Sequence, residues 1–574
     1  MNSTKALLAT PGTVLLVAAA GCLLIGWPAS AQDGPHLGII QPGGMPAWPV
    51  ITGIARDTNG VGVTWDGPSG YYRLFQSPNL RNPNWQPVGG PNPNRIATLS
   101  VASSNAFFRV SGPAPQFAGS QACLECHQDT HDTVMKTRHS SATISVTFLA
   151  QGGQTNGACL RCHSVGNGLP TGFSLLSVTP QLAGVQCENC HGPAANHAAN
   201  PDDPTVRPRV ELAATVCGGC HNASWVPAAV AASHRPYYEE WNTSGHRAVR
   251  TELQADFAGS QGATVYIPSC GRCHSGTVRE SLLEHEPLPD GHEAGAVGIA
   301  CATCHDPHQE YAHTNVLSGL MTNELTGAII TNNQLGMIYT NQLRYPLAST
   351  NDYFLSTSDV FTNKYDPDIN VCAQCHNHRG AAWSSSSRAP HHSPQYNMLL
   401  GTVGELDLGT PSNRPASHAL FEKQCVRCHV QAADAVSATQ PAVSGHSFQV
   451  QSFDTCRECH PQPELLVQFT TTAVSNQIQF VKGLLDQWAA TKAPEALRTK
   501  YGALAWEYTN PGDLSAGTAG PSSSEQTLIP VNIQKARFDL YLVLYDGSYG
   551  VHNGPYAITL LDTAQNWVQE ELNQ

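Results

Sequence analysis

The sequence lacks long hydrophobic runs beyond its first 31 residues, and it is poor in basic residues. No later stretch approaches the roughly 20 apolar residues of a membrane-spanning helix, so we predict no transmembrane segment in the mature chain. Lys and Arg number 30 against 43 Asp and Glu, which gives a formal net charge of −13. This acidic balance argues against nucleic acid or anionic lipid as a partner, because both attract basic surfaces.

Residues 1–31 have the pattern of a secretory signal peptide. Lys5 is the only charged residue among them, an apolar run follows it, and Ala29-Ser30-Ala31 forms a small-x-small cleavage site. The alternatives are an uncleaved membrane anchor and a lipidated N-terminus at Cys22. We therefore expect an exported protein that is periplasmic, or extracellular at the cell surface.

Cysteine occurs 19 times, and 18 of these residues belong to nine copies of the pattern C-x-x-C-H. Only Cys22 lies outside the pattern. The paired cysteines are Cys123 and Cys126, Cys159 and Cys162, Cys187 and Cys190, Cys217 and Cys220, Cys270 and Cys273, Cys301 and Cys304, Cys372 and Cys375, Cys425 and Cys428, and Cys456 and Cys459. The histidines that follow them are His127, His163, His191, His221, His274, His305, His376, His429 and His460.

The position of these histidines distinguishes between the possible uses of a cysteine pair. Histidine makes up 25 of 574 residues, so its presence after all nine pairs is not a chance result. Zinc knuckles and disulfides, the alternatives, do not require a histidine there. Covalent haem attachment does, because two thiols bond to the vinyl groups and the adjacent imidazole binds the iron. The sequence thus predicts nine covalently bound haem c groups.

Histidines outside the motifs are numerous enough to supply a second axial ligand to most of the irons. An iron with two histidine ligands only passes electrons, whereas an iron with an open position can bind and transform a small molecule. The spare histidines also include His234, His285, His313 and His378. Our candidates for distal ligands are His131, His139, His197, His246, His292, His308, His391, His392, His418, His446 and His552.

Residues 32–115 and 116–465 differ in composition. The first range has short alternating apolar runs broken by Gly, Pro and Asn, which predict a small immunoglobulin-like β-sandwich, either a docking module or a spacer. Its expected core is Trp65, Tyr72, Phe75, Trp85 and Phe108. The second range, a nonahaem domain, has only about 38 residues for each motif, too few for an ordinary core. We therefore expect helices and loops, mainly α, wrapped around a haem array.

Two further features concern the later part of the chain. The motif spacing in residues 217–305 recurs in 372–460, with a Gly-His at His292 and His446, which indicates a duplicated three-haem unit or a coincidence of spacing. Residues 466–574 are predicted to form a helical cap, with a linker at residues 510–526 and a helix break at Asp546-Gly547. Its first helix has an apolar stripe at Val474, Ile478, Val481, Leu485 and Trp488.

Residues 119–221 resemble the tetrahaem cytochromes c that accept electrons from hydroxylamine oxidoreductase. The matching segments are GSQACLECHQDTHDTVMKTRHS, GACLRCHSVGNG, GVQCENCHGPAANH and VCGGCH. The resemblance implies that His139 or His131, together with His197, are distal ligands, although the usual Trp before the first of them is replaced around Val134-Met135. The segment ARFDLYLVLYDGSYGVHNGPYAITLL is similar to the closing helices of larger multihaem proteins, including nitrite reductase relatives, which implies that His552 faces a haem.

These features predict an exported electron carrier with mostly bis-histidine haems. Its expected partners are donor and acceptor cytochromes, quinol oxidase or reductase modules, and terminal reductases. The alternative is a multihaem oxidoreductase with one open haem that acts on a nitrogen or sulfur oxyanion, of the nitrite or hydroxylamine type. No motif has the C-x-x-C-K form of nitrite and tetrathionate reductases, which favours the carrier, and no catalytic residue is assigned.

Overall fold

The chain divides into two units in the computed structural model. The first comprises Met1–Glu280, Pro289–Gln342 and Ala432–Ser447, and the second comprises Ser281–Leu288, Leu343–Gln431 and Phe448–Gln574. The structure describes residues 49–57, 60–67, 70–78, 84–99, 106–112, 114–223, 234–309, 342–344, 371–407, 416–420, 424–437 and 440–574, and the backbone alone of the short strands at 18–19, 22–26, 312–314, 321–322, 329–330 and 337–339.

The N-terminal part of the first unit consists of strands. They are β1 (Ala18–Ala19), β2 (Cys22–Gly26), β3 (Val50–Asp57), β4 (Gly60–Asp66), β5 (Tyr72–Ser77), β6 (Gln86–Asn92), β7 (Ile96–Leu99) and β8 (Ala106–Ser111). One sheet has the order β1-β2-β8-β5-β6 and the other has the order β3-β4-β7. β2 pairs in parallel with β8, although β2 lies in the predicted signal peptide. Cleavage after residue 31 would leave β5 as the described partner of β8.

A small apolar core holds these strands together. Trp65, Tyr72 and Phe108 are buried in it, as predicted. The prediction was wrong for Phe75 and Trp85, which are only partly buried and whose ring centroids lie 4.6 and 5.3 Å from the guanidinium carbon of Arg109. Successive side chains of a strand point to opposite faces. Since Tyr72 and Leu74 face the core, Phe75 faces away from it.

The helices between residues 128 and 304 are short. They are α1 (Gln128–Val134), α2 (Val146–Ala150), α3 (Gly157–His163), α4 (Cys187–His191), α5 (Ala195–Ala199), α6 (Thr215–Gly218), α7 (Tyr237–Trp241), α8 (Thr251–Ala258), α9 (Arg272–His274), α10 (Gly276–Leu283), α11 (Gly291–Ala296) and α12 (Cys301–Cys304). Short strands follow: β9 (Ala312–Thr314), β10 (Met321–Thr322), β11 (Ile329–Ile330) and β12 (Met337–Tyr339). β9 pairs with β12 and β10 pairs with β11.

The second unit has longer helices and a larger apolar core. After α13 (Gln395–Leu400), α14 (Gln424–His429) and α15 (Asp454–Arg457) come α16 (Pro463–Thr491), α17 (Glu495–Tyr501), α18 (Val531–Asp546) and α19 (Gly554–Asn573). The predicted stripe of α16 is confirmed, because all five of its residues are buried. The helix break after Asp546 is also confirmed, since Gly547 follows with a left-handed conformation, φ 72°.

Residues 510–526, the predicted linker, are held by hydrogen bonds to neighbouring segments. The Ser515 hydroxyl donates to Glu507 at 2.6 Å, and the Gly520 amide donates to the Thr509 carbonyl at 3.0 Å. These contacts attach the segment to the helical core. None of the helices in the described part of the chain combines the length and the apolar character needed to cross a membrane.

Candidate haem-binding sites

The C-x-x-C-H motifs are folded into helical turns, and the fifth spans the end of a π-helix, Gly262–Gly271, and the start of α9. The amide of the motif histidine donates to the carbonyl of the first cysteine at 2.8–2.9 Å in the motifs that end at His127, His221, His305, His376 and His460. Residues spaced three and four apart on a helix lie on the same face. Both thiols and the imidazole are thereby presented together, as attachment to one porphyrin requires.

Several motif thiols lie close to a thiol of another motif. None of the 18 motif cysteines forms a disulfide bond in the described structure. The thiols of Cys123 and Cys187, of Cys162 and Cys220, and of Cys217 and Cys301 are close enough to shift each other's pKa. In sequence order, these contacts bring together motifs one and three, two and four, and four and six within the first unit.

Among the contacts that the structure describes, six of the motif histidines each face a second histidine, with ring centroids 6.0–6.4 Å apart. Two imidazoles that bind opposite sides of one metal ion, with bonds of about 2 Å, have their ring centroids about 6 Å apart. The observed separations match this geometry. The pairs, with the motif histidine first, are His163 and His234, His191 and His308, His221 and His139, His305 and His446, His429 and His552, and His460 and His418.

Backbone carbonyls orient many of these imidazoles. A carbonyl only accepts, so the Nδ1 atom that it contacts carries the proton and Nε2 keeps the lone pair that binds a metal. The Nδ1 contacts are His163 with Ala142 at 2.9 Å, His191 with Arg209 at 2.8 Å, His429 with Phe448 at 2.9 Å, His418 with Val551 at 3.2 Å, and His446 with Ser444 at 3.2 Å.

Burial favours the neutral, metal-binding form of several of these histidines. It lowers the pKa of His221 to about 4, with smaller contributions from neighbouring histidines. Desolvation also lowers the pKa of the imidazole groups of His139, His163, His376, His418, His429 and His446. A neutral imidazole offers its lone pair to a metal at neutral pH, whereas a protonated one does not.

Parts of the chain are similar to known c-type cytochromes. Residues 122–192 match the family described as cytochrome c554 and c-prime. The chain is 31% identical over 113 residues to cytochrome c-554 of Nitrosomonas europaea, covering 17% of this chain and 47% of that protein. It is 24% identical over 329 residues to the C-type polyheme cytochrome OmcB of Geobacter sulfurreducens, covering 53% of this chain and 35% of that protein.

The chain is a multihaem c-type cytochrome. It binds haem c covalently, and the motif residues have the order and the local geometry that this attachment requires. It spans about half of cytochrome c-554 and about a third of OmcB. Among solved structures, the outer cell wall cytochrome OcwA aligns with 18% identity and a TM-score of 0.46, over 79% of this chain and all of that one.

Two carboxylates, one buried and one half-buried, hold the haem-binding segments of the cytochrome in place. Glu188, inside the third motif and only 1% exposed, accepts hydrogen bonds from the amides of Ala118, Gly119 and Ala194 at 2.8–3.1 Å. Glu188 therefore ties the chain before the first motif and the segment after the third motif to one point. Burial raises the pKa of its carboxyl group, and the three amide donors act in the opposite direction.

Glu240 of α7 plays the corresponding role for the loop that carries His446. Its carboxylate accepts from the Ser444 amide at 3.0 Å, from the Ser444 hydroxyl at 2.7 Å and from the His446 amide at 2.8 Å. The imidazole of His446 is held opposite His305 as a result. The sequence gives no sign of this contact, because the partners are 204 residues apart.

The other distal candidates lie in varied settings. His131 of α1 has its Nδ1 atom 3.3 Å from Asp132, and His197 of α5 has a buried Nδ1 atom with no hydrogen-bond partner among the described residues. His292 is an exposed residue of α11. The remaining placements are His246 in a 3-10 turn capped by the Ser244 hydroxyl, His391 with Nδ1 3.1 Å from the Ser393 hydroxyl, and His392 with its ring centroid 3.7 Å from that of Tyr545.

His234 is the paired histidine that our candidate set omitted. It is followed by Arg-Pro rather than by any motif, and no residue pattern marks it as a ligand. Of the histidines that we rated as spare, His285 is exposed and His378 is buried against Asn397. The side chain of His313, on β9, lies outside the described residues.

Proposed function

We propose that this cytochrome carries nine haems, most of them ligated by two histidines, and that it passes electrons along them between redox partners outside the cytoplasm. The observation that carries the proposal is the set of six histidine pairs, each with a motif histidine as one member. An iron bound on both sides has no position left for a substrate, so electron transfer is the chemistry that remains.

The thiol contacts support passage of electrons between neighbouring haems. A haem is fixed to its two cysteines, so motifs whose thiols touch must hold their porphyrins with edges close together. The fourth motif contacts both the second, through Cys220, and the sixth, through Cys217. In the second unit, Cys428 and Cys456 are near enough for the charge of one to raise the pKa of the other, although burial is the larger cause.

The partners and the location follow from the sequence features. An acidic exported protein is suited to donors or acceptors with a basic docking patch. We propose periplasmic or cell-surface donor and acceptor proteins, among them cytochromes and quinol-linked modules, for a mature chain that starts after the predicted signal peptide. The β-strand region before residue 115 would serve as a docking module or a spacer.

Electron paramagnetic resonance of the fully oxidised protein tests this proposal. We expect low-spin ferric signals that nitrite, hydroxylamine and cyanide leave unchanged. The angle between the two imidazole planes sets the shape of such a signal. The planes are nearly parallel at His191 and His308, 2° apart, and nearly perpendicular at His460 and His418, 89° apart, so two classes of low-spin signal are expected. A high-spin signal that these ligands alter would instead indicate the enzyme alternative.

Substitution of a paired histidine provides the residue-level test. We expect His234→Ala to convert one haem, that of Cys159 and Cys162, from low spin to high spin. His285→Ala is the matched control, because it removes an exposed histidine. If both variants keep the wild-type spectrum, His234 is not a ligand and the proposed pairing is wrong.

A further inference from the structure

Asp546, the last residue of α18, is in direct contact with one of the paired histidines. Its Oδ1 atom lies 2.6 Å from Nδ1 of His552, and the other carboxylate oxygen accepts from the hydroxyl of Ser548. The Asp546 side chain is 2% exposed. His552 in turn has its ring centroid 6.2 Å from that of His429, the histidine of the eighth motif.

This carboxylate distinguishes His552 from the other paired histidines with a described Nδ1 hydrogen bond. The others donate to uncharged backbone carbonyls, as at His163, His191 and His446. The nearest comparable case is His308, whose Nδ1 atom is 4.0 Å from Asp306 and thus beyond hydrogen-bond distance. His429, the motif histidine of the eighth motif, donates to the backbone carbonyl of Phe448. Within this pair, the described contact with a carboxylate is therefore made by His552 and not by the motif histidine.

The position of Asp546 is fixed from more than one side. Its backbone carbonyl accepts from Nε2 of Gln395 at 3.2 Å, and Oε1 of the same Gln395 lies 3.3 Å from Nδ1 of His376. The Ser548 hydroxyl that donates to the carboxylate also accepts from the His552 amide at 3.1 Å. The carboxylate is therefore held against His552.

We propose that Asp546 is a positioning residue that lowers the reduction potential of the haem attached to Cys425 and Cys428. A buried anion that accepts the Nδ1 proton makes the imidazole a stronger electron donor to iron. That donation, together with the negative charge, stabilises the ferric state over the ferrous state. This inference rests on the proposed function, because it requires His552 to be an axial ligand of that haem.

The test is a spectroelectrochemical redox titration of holoprotein carrying Asp546→Asn, which keeps the size of the side chain and removes its charge. We expect one haem to become easier to reduce, with at least a tenfold higher ratio of reduced to oxidised form at a fixed potential, or 59 mV for a one-electron couple. Asp539→Asn is the control, because Asp539 is a buried carboxylate of the same helix that accepts from the Glu405 amide. Asp539→Asn should leave the reduction potential of every haem unchanged.

A second variant keeps the inference testable if Asp546→Asn does not fold. Ser548→Ala removes a donor to the carboxylate, which makes the carboxylate a stronger acceptor, so the same haem should become harder to reduce. Wild-type potentials in both variants, or shifts opposite to these, would overturn the inference.

His552→Ala separates this inference from the proposed function. It should produce one high-spin haem if His552 is an axial ligand. If that haem stays low spin, the proposed pairing is wrong and the role of Asp546 falls with it. If it becomes high spin while Asp546→Asn leaves the potentials unchanged, the pairing stands and only the role of Asp546 is refuted.

Discussion

On the proposed pairing of His446 with His305, removal of the Glu240 carboxylate should free His446 from the iron of the sixth motif. Three hydrogen bonds from Ser444 and His446 end on this half-buried carboxylate. A hydrogen bond to a charged group contributes about 1.5–3 kcal/mol. Because water replaces part of each bond at a half-buried site, we expect a combined loss of about 2–4 kcal/mol on Glu240→Ala rather than the full sum.

This loss translates into a measurable rate. When His446 detaches and its loop moves, the hydrogen bonds to Glu240 break. Loss of these bonds in Glu240→Ala should therefore raise the population with His446 detached by about 30- to 1,000-fold, at 1.4 kcal/mol for each factor of ten. Carbon monoxide binds a ferrous haem only when its sixth position is free. Stopped-flow mixing should therefore show one haem that binds carbon monoxide faster by that factor in Glu240→Ala.

Glu252→Ala is the control for Glu240→Ala. Glu252→Ala removes a carboxylate that is 77% exposed and that pairs only with Arg250, at 3.8 Å, among the contacts described. It should bind carbon monoxide as the wild type does. Equal rates for Glu240→Ala and the wild type would show that Glu240 does not hold a ligand loop.

The remaining predictions concern stability. Glu188→Gln places an amide donor against backbone donors and should lower the free energy of unfolding in urea by about 1–3 kcal/mol. Glu125→Gln, at an exposed position, is the control and should lower it by less than about 0.5 kcal/mol. Leu485→Ala should destabilise the helical part of the second unit by about 2–5 kcal/mol, since Leu485 is completely buried; a loss below about 1 kcal/mol would contradict its place in the core. Burial raises the pKa of Glu507 above its usual 4.5, so its contribution to stability is full below pH 4.5 and is lost as pH rises through the folded-state pKa. Urea titrations should therefore show Glu507→Gln gaining stability relative to the wild type between pH 4.5 and 7, and a constant difference would refute this.

Local features of the fold were predictable because they depend on neighbouring residues. The motif turns follow from the spacing of C-x-x-C-H, and the buried face of α16 follows from the apolar period of 3.6 residues. The strands were predicted too, but Phe75 was assigned to the wrong face because adjacent aromatic residues obscured the alternation.

The histidine pairing could be predicted only in part, because each pair joins distant parts of the chain. Candidates such as His446 were found by counting spare histidines, yet the sequence does not tell which motif histidine each one faces. His234 was omitted because its position opposite His163 depends on the fold. The carboxylates of Glu188 and Glu240 were missed for a related reason: a carboxylate that accepts backbone amides leaves no pattern in the sequence.

The most direct test of the account is the haem content of the denatured polypeptide. Pyridine haemochrome absorbance, normalised to protein and combined with the mass of the intact chain, counts the porphyrins that remain covalently attached. The nine motifs predict nine haems for each chain. A denatured chain that retains no porphyrin, or a count below nine in fully matured protein, would contradict the account.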